Sequence, residues 1–333
     1  MNFLRPASFS GMLMLVVVWI AVCPRIAIGD PLDATRVPAE AKWVMHMDID
    51  AMRESELGDY MRSKWLSRDR LRKYMEEIFE KTGMDPREDL RSMTFYDNRF
   101  EKHHGTALIE VQNVDAQKLL TLLRERHPDV RISNYGEHRL YIWKADHGKK
   151  KDHFVTGCFY KESILVFSGE TANVMVALDV FDGKAAALSG SSPLAAAAQD
   201  GTLLLARGID MAEKDWPGRC PVLRDSDQFS LSLGESDGNL FVDSAMVTNK
   251  EETATSAVSV VDGLRAMISL RHGENEHVMR VLQGLKTNVD GTNLSIRWQA
   301  KGEDVLKAAE KFKEMHKHRK HHRRGKRQQP DSE

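Results

Sequence analysis

Four histidines, His316, His318, His321 and His322, are interleaved near the C-terminus with Lys317, Arg319, Lys320, Arg323, Arg324, Lys326 and Arg327. If that stretch is helical, His318 and His322 stack at i, i+4, a spacing at which two imidazoles share a divalent ion such as zinc or copper. The surrounding cations repel a metal and attract anions instead, with a salt-dependent affinity for acidic polymer or anionic lipid. No aromatic is interleaved for base stacking, which disfavours nucleic acid as a partner. A solvated, disordered tail that only aids solubility has the same composition.

Elsewhere the chemistry-bearing residues are sparse. Gly234-Glu235-Ser236-Asp237-Gly238 fits the G-x-S-x-G pattern of serine hydrolases, whose nucleophile must sit on a strained strand-to-helix turn. The flanks FSLSL (229–233) and LFVDSAMV (240–247) instead read as strand, turn, strand, so a hydrolase built on Ser236 is the weakest of the readings. Asp48 and Asp50 lie two apart, an arrangement that places paired carboxylates on one face of a strand, yet Asp50 is better suited to cap the helix that follows. His103 and His104 are adjacent and point apart, a poor ligand set. The chain holds no H-E-x-x-H, C-x-x-C or G-x-x-x-x-G-K-[ST]. No cofactor is expected, and the balance favours a noncatalytic protein.

These residues must be carried by elements, and two stretches of the chain repeat the same order of them. WVMHMDIDAM (43–52) and TLLLARGIDMA (202–212) are strand candidates running into Ile49-Asp50 and Ile209-Asp210. GTALIEVQN (105–113) and NLFVDSAMVTN (239–249) alternate as strands do, with Asp115 and Asn249 as helix caps after them. Ala116, Leu119, Leu120 and Leu123 then share one helical face, as do Ala254, Ala257, Val258 and Val261. RLYIWKA (139–145) matches LSIRWQA (294–300), each after a turn carrying Gly136 or Gly291. Helices opening at Gly169-Glu170-Thr171 and Gly302-Glu303-Asp304 close the two halves. The expected architecture is α+β: two similar lobes of mostly antiparallel sheet with helices packed on one face, an order of elements compatible with a ferredoxin-like unit in each. The expected boundaries are a first lobe at 30–182, a connector rich in Ala, Ser and Gly at 183–201, a second lobe at 202–315 and the basic tail at 316–333.

Met12 to Val22 is an uncharged apolar run of 11 residues ended by Arg25, about half of the ~20 that a spanning helix needs, so residues 1–29 read as an export signal with the mature chain starting at Asp30. No transmembrane helix is expected after it. The seven cations of residues 316–327 are balanced elsewhere. With two arginines in the leader and two acids in the last six residues, residues 30–315 hold −8. An acidic body with a basic tail suits a partner that is another envelope protein or an anionic polymer. Only Cys158 and Cys220 remain beyond the leader, permitting one disulfide in an oxidising compartment, although Cys158 in the apolar run FVTGCFY is equally ordinary as a free thiol.

Val37-Pro38-Ala39-Glu40-Ala41, and Thr82-Gly83-Met84-Asp85-Pro86 followed by Asp89-Leu90 and Ser92-Met93-Thr94-Phe95-Tyr96, resemble exported proteins of planctomycete-type bacteria with no assigned activity. The resemblance covers about the first hundred residues after the leader and implies export, with no active residue attached to its motifs.

Overall fold

The computed structural model describes residues 31–65, 69–101, 104–145, 153–211 and 225–311. The leader, His103, Cys220, the tail histidines and the tail cations lie outside the described residues.

In the first half, strand β1 (Trp43–Asp48) leads to helices α1 (Ile49–Glu54), α2 (Glu56–Trp65), α3 (Asp69–Thr82) and α4 (Pro86–Asp89). There follow β2 (Leu90–Asp97), β3 (Thr106–Val111), α5 (Ala116–Arg126), β4 (Arg131–Tyr135), β5 (His138–Ala145), β6 (His153–Tyr160), β7 (Ile164–Ser168) and α6 (Thr171–Phe181). The second half holds β8 (Thr202–Gly208), β9 (Ser226–Ser236), β10 (Asn239–Thr248), α7 (Glu251–His272), α8 (Glu276–Gln283), β11 (Leu285–Asp290) and β12 (Asn293–Lys301), then helix α9 at residues 302–311.

The protein is α+β. Among the described residues, twelve strands form one antiparallel sheet in the order β11-β12-β10-β9-β8-β1-β2-β3-β7-β6-β5-β4. The repeated order is visible in this topology. From the central β1–β8 pair, β1-β2-β3 step outward one way and β8-β9-β10 the other; β7 then returns beside β3, and β12 beside β10. The sheet position of β12 is therefore matched by β7. The expected match of Trp143 in β5 with Trp298 in β12 is corrected, because the first half contains the additional outer pair β4–β5.

The helices pack mainly on one face. Met47, Met93, Phe95 and Ala107 bury there against Ile49, Met52, Leu71 and Met75. The same face continues through the register Trp43, Gly208, Phe229, Met246 and Leu294 to Ala254 and Ala257 of α7. α6 is the exception and covers the opposite face of the first half, with Val174, Ala177 and Leu178 on Leu108, Leu140 and Val166. Strands β6 and β7 are thus covered on both faces, which explains their near-continuous apolar runs.

Local chemistry sets the boundaries. Asp48, not Asp50, caps α1: its side chain accepts from the Ala51 N–H at 2.8 Å, because pairing with Ser92 holds Asp48 extended and brings Ile49 into the first turn. Asp115 caps α5 as expected, accepting from Gln117 and Lys118. Asn249 does not cap α7; Lys250 occupies that position without a side-chain bond, and the Asn249 N–H donates to the Asp225 carbonyl. The halves are tied at their ends as well as through β1–β8. The Glu235 carboxylate accepts from the Glu56 and Leu57 N–H groups at 3.2 and 3.1 Å, at the start of α2.

In the first turn of α9, Asp304 accepts from Arg280 Nε at 3.0 Å and lies 2.6 Å from His277 Nδ1. Arg280 first, then His277, hold this carboxyl down to about 2. The folded value lies below the unfolded one near 4, so the stabilisation is complete above about pH 4 and disappears as pH falls towards 2. Thermal melts of Asp304→Asn should lie below those of the parent protein above about pH 4 and converge with them near pH 2.

Candidate functional site: an open polar sheet face

One line of cross-strand partners runs over all twelve strands on the face that α6 covers. It passes through Ser133, Leu140, Cys158, Val166, Leu108, Thr94, His46, Leu205, Ser232, Asp243, Arg297 and Lys286. Leu140, Cys158, Val166 and Leu108 are apolar and buried under α6, and Thr94 and His46 are buried polar residues beside them. Beyond the buried Leu205, the line from Ser232 to Lys286 is polar and open.

The neighbouring line repeats the change. Tyr96 and Val44 are buried, whereas Ser230, Ala245, Ser295 and Asn288 face outward beyond Arg207. Strict alternation produces this face. In β9, Phe229, Leu231 and Leu233 share the helix-covered side while Gln228, Ser230 and Ser232 point away; β12 does the same with Leu294, Ile296 and Trp298 against Ser295 and Arg297. No helix covers the second half because α9, which follows β12 as α6 follows β7, docks its first turn on α8. The Trp298 Nε1–H donates to the Val281 carbonyl, keeping α8 on the helix-covered side.

The bare face forms a concavity of about 510 Å3 whose rim is residues 193–199 of the chain between the halves. Arg207 holds that rim in place. Its guanidinium is buried and donates to the carbonyls of Leu194 at 3.0 Å, Ala197 at 3.3 Å and Ala196. Burial pulls its pKa below the ordinary arginine value. On the floor, Asp243 and Arg297 form an exposed ion pair at 3.1 Å, flanked by Ser232 and Ser295. Such a surface offers both donors and acceptors with little net charge. Among the described residues no histidine, cysteine or glutamate lines it, and the carboxylate beside its serines, Asp243, is engaged by Arg297.

The residues singled out by sequence lie elsewhere. Ser236 pairs with Asn239 across a two-residue turn in which Asp237 and Gly238 have φ of 50° and 70°, a hairpin geometry and not a nucleophile elbow. Asp50 is buried in α1 between Arg53 and Arg91. Cys158 is a buried free thiol beside the Phe159 carbonyl, its pKa pushed up by burial to about 11.

His104 forms a cluster that spacing does not reveal. Nδ1 lies 2.8 Å from Asp97 Oδ2 and Nε2 2.9 Å from Glu170 Oε1, while Arg99 reaches the other Glu170 oxygen at 3.3 Å. Asn173 Nδ2 and Ser168 Oγ donate to the His104 carbonyl. Both ring nitrogens have a carboxylate oxygen within 3 Å, although Nε2 makes no hydrogen bond of good geometry. The cluster ties the β2–β3 loop to the start of α6. Among the described residues no group of three or more His, Cys, Asp or Glu is disposed to hold a metal, and no helix is long and apolar enough to cross a membrane.

No protein-family description and no curated protein matches the chain. Solved structures that resemble it include crystal form I of TP0453, with 8% identity, TM-score 0.43 and coverage of 82% of this chain and 95% of that one. Crystal form IV of TP0453 gives 8%, 0.43, 84% and 96%.

Proposed function

We propose that this chain is a noncatalytic, exported cell-envelope protein that holds another envelope component on the open polar face of its second half. The observation that carries this reading is the concavity over Ser230, Ser232, Asp243, Ser295 and Arg297: a face of the sheet that α6 covers in one half is left bare and hydrogen-bonding in the other. The leader-like first 29 residues and the resemblance to exported planctomycete-type proteins support the location. The engagement of Asp243, the carboxylate beside the concavity's serines, by Arg297 supports binding over turnover.

The experiment places a benzophenone amino acid at Ser232 or Ser295 in growing cells, with Val176 on the exposed side of α6 as control. Adducts should form from the two serine positions and not from Val176, and Arg297→Ala should reduce them about tenfold, as loss of one charged contact does. No adduct from either serine, or turnover of an envelope substrate that a single polar substitution abolishes, would overturn the reading.

A further inference from the structure

Helix α7 is apolar on two sides. Ala254, Ala257 and Val258 turn to the sheet and pack on Met246 and Leu294. On another flank Val260, Leu264, Met267 and Leu270 are 62%, 50%, 57% and 90% exposed. Their spacing of i, i+4, i+7 and i+10 keeps them along one strip about 15 Å long, and the strip runs into Arg271 and His272 at the helix end. Four such side chains in line on the longest described helix are more than scattered surface hydrophobes.

The described chain ends in the same layer. β12 passes into α9, whose first turn is bonded through Asp304 to His277 and Arg280 of α8, and α8 packs on α7. The described chain reaches residue 311 in that helix, and residues 316–327 then supply seven Lys or Arg.

We propose that this helical layer seats on an anionic lipid surface, the α7 strip entering the boundary between headgroups and acyl chains while the basic tail is drawn to the headgroups. A second copy of the chain is less well matched. At roughly 100 Å2 apiece the four side chains offer about 400 Å2, half of the ~800 Å2 per partner that a stable dimer buries. A bilayer sets no such minimum. Each apolar side chain contributes as it enters, and the attraction adds to that of basic residues for anionic headgroups, so two modest signals give stable attachment where one does not. The strip lies on the helix-covered side of the sheet, so the polar concavity opens away from the lipid, and this proposal stands whether or not that concavity binds anything.

The test is flotation of the chain from Asp30 to Glu333 with vesicles of phosphatidylglycerol and phosphatidylcholine, compared with phosphatidylcholine alone. The parent protein should float with the anionic vesicles at low salt. Leu264→Ser with Met267→Ser should lower its partitioning at least tenfold while the protein still melts cooperatively, only a few degrees lower because serine is the poorer helix former. Deleting residues 316–333 should remove the preference for phosphatidylglycerol and the sensitivity to salt. The proposal is overturned if the parent protein stays at the bottom of the gradient, or if the double serine variant floats equally well. It is also overturned if light scattering reveals a dimer that the serine substitutions dissociate, which would place a second copy on the strip.

Discussion

Asp50→Ala is expected to lower the unfolding free energy by about 3 kcal/mol, the scale seen when one partner of a buried ion pair is removed. Asp50 is 5% exposed, bonded to Arg53 one turn on and to Arg91 Nε at 3.0 Å from the start of β2. The Arg53 side chain is only 10% exposed, and its other donors reach the carbonyls of Arg87 at 2.9 Å and Leu90 at 2.6 Å. The carboxylate therefore neutralises a guanidinium already committed to bridging α1, α4 and β2. Removing it leaves that charge buried with neutral acceptors alone. Asp50→Met combined with Arg53→Met should be less damaging than the sum of the single substitutions, since no orphaned charge remains. Urea unfolding of the three variants measures this; additive losses would show that the pair is not coupled.

The second large effect is expected at Gly234, in the strand that floors the concavity. A Cβ there would lie 2.2 Å from the Gly201 carbonyl oxygen and 2.4 Å from the Phe241 ring. The backbone of Gly234 is ordinary strand, so the requirement for glycine comes from space and not from conformation. The Phe241 ring is itself buried, and the Gly201 oxygen belongs to the backbone of a turn at φ 79° and accepts from the Glu235 N–H at 2.9 Å. Gly234→Ala should cost about 3 kcal/mol, the upper end of overpacking. Gly263→Ala is the internal contrast. It sits in α7 with nothing within 4 Å of the added methyl, and should raise stability by roughly 0.5–1 kcal/mol through helix propensity. Equal melting temperatures for the Gly234 and Gly263 variants would refute the steric account.

The strands, the helices following β3 and β10, and the hairpin at Asp237-Gly238 were legible because each rests on short-range chemistry: alternation, one apolar helical face, residues that accept positive φ. The duplication was legible as an order of elements, yet aligning β5 with β12 failed, because which strand lies beside β10 or β3 depends on pairings between residues far apart in the chain. The cap of α1 shifted by two residues for a similar reason. Asp48 and Asp50 are equally able to accept an N–H, and only the pairing of Asp48 with Ser92 decides between them. The polar face was partly written in FSLSL and LSIRW. What those runs do not state is that their polar sides align in one register and that α9 turns away from them. The His104 cluster was invisible, its partner Glu170 being 66 positions distant and unremarkable in its own segment.

The seam joining the halves has a consequence for how the molecule is made. Trp43 pairs with Gly208, so the outer edge of β1 waits for a strand that emerges 165 residues later. A chain crossing a membrane from its N-terminus would expose that unpaired edge throughout the passage of the first half, a template open to any neighbour's β8. Crowded synthesis should therefore favour exchange of second halves between chains, giving interlocked pairs that contain every native strand pairing and that dilution separates only on the timescale of global unfolding.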